Sequence, residues 1–129
     1  MVSNELSMVE KIRANAGLVI SIAWDNLDVD LDFDEEGVEW LDGYIERQRS
    51  GLPPEKRSRL VGTLGSYLGE CIIHSFGGEW AEVDGRWCIR FDERHAAFPF
   101  AKVEKHLQSG PEDSVLSFFR AIPGLFQRA

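Results

Sequence analysis

The sequence predicts an α+β domain in which a small antiparallel sheet of about three strands packs against four to five helices. Three observations lead to this prediction. Apolar residues recur at helical spacing in the N-terminal half, a strong hairpin signal at Asp84-Gly85 follows the Gly77-Gly78 pair, and helical spacing returns near the C-terminus. With 129 residues, 43% of them hydrophobic, the chain can bury one core, so residues 1–129 are predicted to form a single domain.

The first helix is predicted over residues 5–26. Its apolar positions, from Val9 to Leu27, follow helical spacing, and Ser7 with Glu10 has the form of a capping box. One alternative is that this helix extends the core domain rather than belonging to it. Residues 28–33 then alternate acidic and apolar side chains, which is typical of a short extended segment, either an edge strand or a linker.

Two further helices are predicted before the hairpin. Asp34 is expected to cap the second helix, and Pro54 is expected to begin a third, central helix. Three glycines interrupt the third helix: Gly62, Gly65 and Gly69. Each costs about 0.5–1 kcal/mol relative to alanine, so we expect them to allow close packing against another backbone.

The C-terminal half is predicted to hold three strands and two helices: strands over residues 79–83, 86–91 and 95–100, and helices over residues 102–108 and from Pro111 onward. Asp84-Gly85 joins the first two strands, because this pair suits the tight turn of a two-residue hairpin. The order of helices, then strands, then helices is typical of the α+β class.

Charge is segregated along the chain. The formal net charge is −8, but residues 25–46 contain ten acidic residues and no Lys or Arg, so this acidic segment carries −10 and the remainder +2. Such a surface disfavours nucleic acid and favours a basic protein surface as partner. The predicted partner-binding residues all lie in the acidic segment: Asp28, Asp30, Asp32, Asp34, Glu36, Glu39, Trp40 and Tyr44.

The acids between Asp28 and Glu39 also match the spacing of a calcium-binding loop. Phe33, however, occupies the position at which glycine makes the sharp turn of such a loop. We therefore interpret the run as a solvated acidic edge or a partner-binding face, and we predict no metal.

Glu70 is unusual because it lies among apolar residues of the helix that we expect to be most buried. A carboxylate there must be paired, hydrogen-bonded or protonated. We predict a structural clasp to Arg86 or Arg90, or to backbone amides, with a catalytic acid or base and a ligand contact as alternatives. The candidate polar or ligand site comprises Glu70, Tyr67, Trp80 and Arg90.

Two cysteines and two histidines are candidate ligands for one metal ion, since their elements could bring all four side chains together. Cys71 and His74 lie three residues apart on the third helix, and Cys88 and His95 follow on predicted strands. Their spacing matches no familiar zinc pattern, and Cys71 lies on an apolar stripe, where cysteine packs as a small hydrophobe. Packing is favoured over zinc binding or nucleophilic catalysis, and no cofactor is predicted.

The C-terminal helices carry two surface predictions. His106 is expected on an exposed face of the helix over residues 102–108. An exposed aromatic patch near Phe118, Phe119 and Phe126 could serve as an interface between copies of the chain. Either a monomer or a homodimer is therefore compatible with the sequence.

Cytoplasmic localisation without a membrane segment is predicted. The apolar run at residues 18–24 is preceded by Glu5 and Glu10 and followed by Asp25, without the small-residue cleavage site of an export signal. No run approaches the roughly 18 apolar residues of a membrane span. The two cysteines do not have the pattern of a secreted disulfide scaffold.

Several short motifs follow one another in a recognisable order. Residues 66–72 read SYLGECI, residues 77–80 GGEW, residues 98–105 FPFAKVEK and residues 110–114 GPEDS, before Phe118-Phe119. In this order they resemble a family of small bacterial domains of unknown function, over about residues 31–126. The resemblance implies the architecture above and a bacterial intracellular setting, with no catalytic residues to carry over. Some members of such small acidic families look like immunity proteins that neutralise a toxin by binding it.

The predicted function is therefore a noncatalytic protein-binding module, with an immunity-type inhibitor that uses an acidic face as one form of it. Two alternatives stay open. One is a small-ligand-binding or enzymatic domain centred on Glu70, and the other is a homo-oligomeric structural protein.

Overall fold

The computed structural model describes residues 7–126. In chain order its elements are α1 (Met8–Leu27), α2 (Glu35–Gln48), α3 (Pro54–Phe76), β1 (Glu79–Val83), β2 (Arg86–Arg90), β3 (Ala96–Ala97), α4 (Pro99–Ser109) and α5 (Val115–Phe126), with a 3₁₀ turn (Gly110–Asp113) before α5. The predicted α+β class is confirmed. The predicted start of the first helix at residue 5 lies outside the described residues.

The sheet is antiparallel with strand order β1-β2-β3. Asp84 and Gly85 both have positive φ, 53° and 77°, as the predicted two-residue hairpin turn requires. Trp80 pairs with Ile89 across the hairpin. The third strand is shorter than predicted because Pro99 already begins α4, where its fixed φ and missing N–H are tolerated.

Side-chain caps define the beginnings of three helices. Ser7 Oγ accepts a hydrogen bond from Glu10 N at 3.1 Å, and Asp34 Oδ1 accepts one from Gly37 N at 2.9 Å, as predicted. The last helix begins at Val115 rather than Pro111, because residues 110–113 form a 3₁₀ turn and Ser114 Oγ accepts from Ser117 N at 3.2 Å. Between α1 and α2 the chain is a linker rather than an edge strand.

The core surrounds α3, as predicted for the central helix. Helices α1, α2 and α4 and the sheet pack around it, and α5 packs on α2. The largest fully buried side chains include Tyr67, Phe119, Leu41, Ile45, Leu68, Ile72 and Ile89. Among the described helices, none is long and apolar enough to cross a membrane.

The three glycines of α3 have different surroundings. A Cβ at Gly65 would lie 3.0 Å from the Phe100 Cα, so this glycine permits the predicted close approach of backbones. At Gly69 a Cβ would overlap the Trp80 indole, so the neighbour is a side chain rather than backbone. Gly62 faces open space, and the packing prediction is wrong for it.

Candidate functional site

The acidic segment begins in the last turns of α1, continues through the linker and covers most of α2. Asp28 adopts the left-handed conformation, with φ 59°, as the C-cap of α1. Asp28, Asp30 and Asp32 are exposed, whereas Asp34 is half-buried because it caps α2. Within the described residues, no Lys, Arg or His lies within ion-pair distance of these four carboxylates. Their negative charge is therefore uncompensated by close partners.

Glu36 and Glu39 lie on the exposed surface of α2 and differ in their pairing. Arg120 Nη2 of α5 lies 3.0 Å from Glu39 Oε1 and 3.4 Å from Glu35 Oε2. All three side chains are about half exposed, so these ion pairs contribute little stability. They nevertheless neutralise Glu39 locally, so Glu36 is the better-placed of the two predicted binding residues.

Tyr67 holds the linker of the acidic segment against α3. Its hydroxyl donates to the Asp32 carbonyl oxygen at 2.6 Å, and it lies so close to Gly37 that a Cβ there would overlap it. The Phe33 ring packs 5.7 Å from the Tyr67 ring and 4.8 Å from that of His74. Burial raises the pKa of Tyr67 well above its ordinary range, so the hydroxyl remains a donor. The Tyr67 hydroxyl thus bonds to the acidic segment rather than to Glu70.

Trp40 and Tyr44 form an aromatic wall on α2. Their rings stack with centroids 5.1 Å apart and planes 19° apart, and both side chains are half-buried. Trp40 lines a cleft of about 180 Å³, the acidic cleft, together with Val29, Asp30, Leu31, Asp32, Asp34, Glu36 and Gly37. Aromatic residues in such positions are the usual anchors of protein interfaces.

Trp40 also lines a larger apolar groove of about 480 Å³. It is lined by α1, α2 and α3, through Val19, Ile22, Asn26, Leu27, Trp40, Tyr44, Gln48, Arg59, Leu60, Thr63 and Leu64. Trp40 belongs to both cavities, so the groove and the acidic cleft form one continuous surface. The acidic residues and the two aromatic residues were predictable from the sequence. The groove was not, because it forms where α1 and α2 both pack on α3.

Glu70 is buried and connects three elements. Its Oε2 accepts a hydrogen bond from Trp80 Nε1 of β1 at 2.8 Å, and Arg13 Nε of α1 lies 3.9 Å from the same oxygen. His74 Nε2 lies 3.6 Å from Oε1. Because Arg13 is 63% exposed, its ion pair is weak, and the indole is the main partner.

The prediction that Arg86 or Arg90 clasps Glu70 is wrong. Arg86 and Arg90 share one face of β2 with Cys88, whereas Trp80 lies on the other face of the sheet with its cross-strand partner Ile89. Arg90 Nε donates to the Asp92 carbonyl oxygen at 3.5 Å, and the Arg86 guanidinium lies 4.7 Å from the centre of the Phe98 ring. Within the described residues, the arginine that lies within ion-pair distance of Glu70 is Arg13 of α1.

The contacts of Glu70 favour a structural role, in which its carboxylate joins α3 to β1 and α1. Glu70 lines none of the five cavities described in residues 7–126. One carboxylate oxygen is occupied by the indole N–H. The four residues of the predicted polar site have different partners: Glu70 and Trp80 bond to each other, Tyr67 bonds to the linker, and Arg90 lies on the sheet face opposite Trp80.

A second buried polar cluster, centred on His106, joins α2, α4 and α5. The His106 side chain is 0% exposed, its Nε2 lies 2.6 Å from Glu46 Oε2, and its Nδ1 accepts from Val115 N at 3.2 Å. Because the Val115 N–H points at Nδ1, the ring proton is on Nε2 and is donated to Glu46. The prediction of an exposed His106 is wrong.

Asp42 and Ser114 complete this cluster at the beginning of α5. Ser114 Oγ donates a short hydrogen bond to Asp42 Oδ2, which also accepts from Leu116 N at 3.1 Å. His106 Nδ1 lies 4.0 Å from the same carboxylate oxygen and is occupied by a backbone N–H. The serine therefore donates to a carboxylate rather than to an imidazole base, so the cluster fixes the helix and does not activate a nucleophile.

The aromatic patch predicted at the C-terminus is wrong in one respect. Phe119 is buried, with 1% exposed, and packs against Phe76 with ring centroids 4.8 Å apart. Phe118 is half-buried beneath the Lys102 ammonium, which lies 5.7 Å from its ring centre. The Phe126 side chain lies outside the part of the chain that the structure describes.

Both thiols are buried and reduced, and we expect them to be unreactive in the native state. Burial raises the pKa of the Cys71 thiol to about 12 and also raises the pKa of Cys88. Because the thiolate is the reactive form, a disulfide reagent at about pH 8 should label neither cysteine before unfolding and both in denaturant. Rapid labelling of Cys71 without denaturant would contradict this arrangement.

The raised pKa of Cys71 also affects stability. The native state loses stability as the pH rises toward 12, because the thiol of the unfolded chain ionises at a lower pH than the buried thiol.

Comparison with protein-family models, with curated proteins and with solved structures found no match. The features of the described residues that bear on function are the two cavities that share Trp40 and the charge around them. Among the described residues, no group of three or more potential metal ligands is close enough to hold an ion.

Proposed function

We propose that this protein is a noncatalytic protein-binding module. In this proposal the acidic segment attracts a basic protein surface, and Trp40 or Tyr44 anchors it. An immunity-type inhibitor that neutralises a toxin by binding it would work in this way, in keeping with the resemblance to small bacterial domains. The observation that carries the proposal is the position of Trp40, which lines both the acidic cleft and the apolar groove.

The charge distribution supports the basic partner. Asp28, Asp30 and Asp32 project uncompensated charge from one short linker, and Tyr67 holds that linker in a fixed position through Asp32. Like charges concentrated on one surface accelerate the approach of an oppositely charged partner. Once the partner has arrived, apolar contact with the Trp40–Tyr44 wall would supply the slow dissociation that charge alone does not give.

The proposal is tested by capture from a lysate of the source organism. Three baits are compared: wild type, a variant with Asp28, Asp30, Asp32 and Asp34 changed to Asn, and a control with Glu79, Glu82, Glu93 and Glu104 changed to Gln. The control glutamates are exposed and lie outside the acidic segment. Asn at position 34 preserves the helix cap, since Asn and Asp cap helices about equally well.

We expect a basic protein to be captured in near-stoichiometric amount by wild type and by the control, and to be lost from the four-Asp variant. Both variants lower the negative charge by four, so a difference between them reports the position of the charges rather than their number. Equal capture by all three baits would contradict a role of the acidic segment. Equal loss from both variants would show that only the overall charge matters.

A further inference from the structure

The apolar groove is bordered by unusually exposed large hydrophobic residues. Leu18, Ile22 and Leu27 of α1 are 50%, 48% and 48% exposed, although α1 packs against α3. Ile22 and Leu27 line the groove, and Leu18 precedes Ile22 by one helical turn on the same face. Scattered exposed hydrophobics are ordinary, but several that border one apolar groove mark a surface that another molecule covers.

A second copy of the chain is a poor occupant. The groove adjoins the acidic cleft through Trp40, and residues 25–46 carry −10. Two copies that met through this face would bring these charges together, which costs free energy at close range. The occupant that the charge favours is a basic segment with an apolar side.

The two ends of the groove differ in charge. Trp40 marks the end near the acidic cleft, because it lines both cavities, and Gln48 lines the groove eight residues later on α2. Gly37, near the beginning of α2, packs against Tyr67, whereas Gln48, at the end of α2, shares the groove with Arg59. Eight residues of α-helix span about 12 Å, which is a little over two turns. A helix lying along this distance would place its positive N-terminal dipole at the acids and its negative C-terminal dipole at Arg59.

We propose that the groove binds a short amphipathic helix of the partner, about two turns long, with apolar residues at positions i, i+4 and i+7. Lys or Arg residues at its N-terminal end face the acidic cleft, and its C-terminal end lies toward Arg59. This inference rests on the proposed function, because it takes the partner to be a basic protein.

Synthetic peptides provide the test, used as probes with the full chain. One peptide carries Leu at i, i+4 and i+7 with three Lys at the N-terminal end, the second carries the same Lys at the C-terminal end, and the third has the first composition scrambled. Affinity is measured by calorimetry and helix formation by circular dichroism. We expect the first peptide to gain helicity and to bind at least about fivefold more tightly than the second and third, a difference of roughly 1 kcal/mol.

Two protein variants locate the binding. Ile22→Gln removes a groove contact, whereas Met8→Gln removes a 49% exposed side chain fourteen residues earlier on α1, which does not line the groove. We expect Ile22→Gln to weaken the first peptide about tenfold and Met8→Gln to change it less than twofold. Equal effects of the two variants, or equal binding of all three peptides, would overturn the groove as the site.

The outcomes separate this inference from the proposed function. If the four-Asp variant loses a basic partner in the lysate while no peptide binds the groove, the helix inference is wrong and the binding module stands. If the peptides bind with the expected polarity but no partner depends on the four aspartates, the groove is a helix site and the proposed mode of attraction is wrong.

Discussion

Replacing His106 with alanine is expected to lower the free energy of unfolding by about 3 kcal/mol, which would be one of the largest effects of a single substitution in this chain. The imidazole is completely buried and bridges α2 to the beginning of α5, through Glu46 and the Val115 N–H. Its removal leaves a cavity and a buried backbone donor without an acceptor. Urea denaturation followed by circular dichroism measures the change.

Lys105→Ala is the matched control for this substitution. Lys105 precedes His106 on α4 and is exposed, so its removal should change the free energy of unfolding by less than about 0.5 kcal/mol. If His106→Ala were as mild as Lys105→Ala, the buried cluster would contribute nothing and the exposed position predicted from sequence would be the better description.

Gly69→Ala is expected to destabilise the protein by about 2 kcal/mol, even though alanine is the better helix former. The added Cβ overlaps the Trp80 indole, which lies buried over this glycine. The indole must move, and its movement breaks the 2.8 Å hydrogen bond to Glu70. We expect the loss of packing and of this bond to exceed the gain of roughly 1 kcal/mol from helix propensity.

Gly62→Ala provides the comparison on the same helix. A Cβ at Gly62 meets no atom within 4 Å, so only the propensity gain remains and the variant should be more stable than wild type by about 0.5–1 kcal/mol. Opposite signs for the two glycines are expected in thermal or urea unfolding. Stabilisation by both substitutions would show that Trp80 does not pack on Gly69.

The elements of the fold were predictable where local chemistry determines them. Ser7 and Asp34 cap their helices, and the Asp84-Gly85 turn has positive φ at both positions, because these residue types satisfy the local backbone without help from distant residues. The beginning of α5 was misplaced because its cap, Ser114, is supported by Asp42 from a distant helix.

The contacts of the polar residues were less predictable, because they depend on which elements meet in three dimensions. The apolar neighbours of Glu70 on α3 correctly predicted a buried carboxylate. Its partners on α1 and β1 could not be predicted, because they depend on tertiary packing. His106 looked exposed because its helical neighbours include charged residues. Asp42 and Glu46 lie one helical turn apart on the same face of α2. This pair of acidic residues could have indicated that a buried histidine, here His106, packs against that face.

The most direct test of the binding function is the association rate of the captured partner at low and at physiological ionic strength. The rates are compared for wild type, the four-Asp variant and the four-Glu control by stopped-flow fluorescence. We expect the four-Asp variant to associate at least about tenfold more slowly than wild type at low salt and to lose most of the salt dependence, with the control close to wild type. Association of the four-Asp variant as fast as wild type at low salt would contradict the acidic segment as the partner-binding surface.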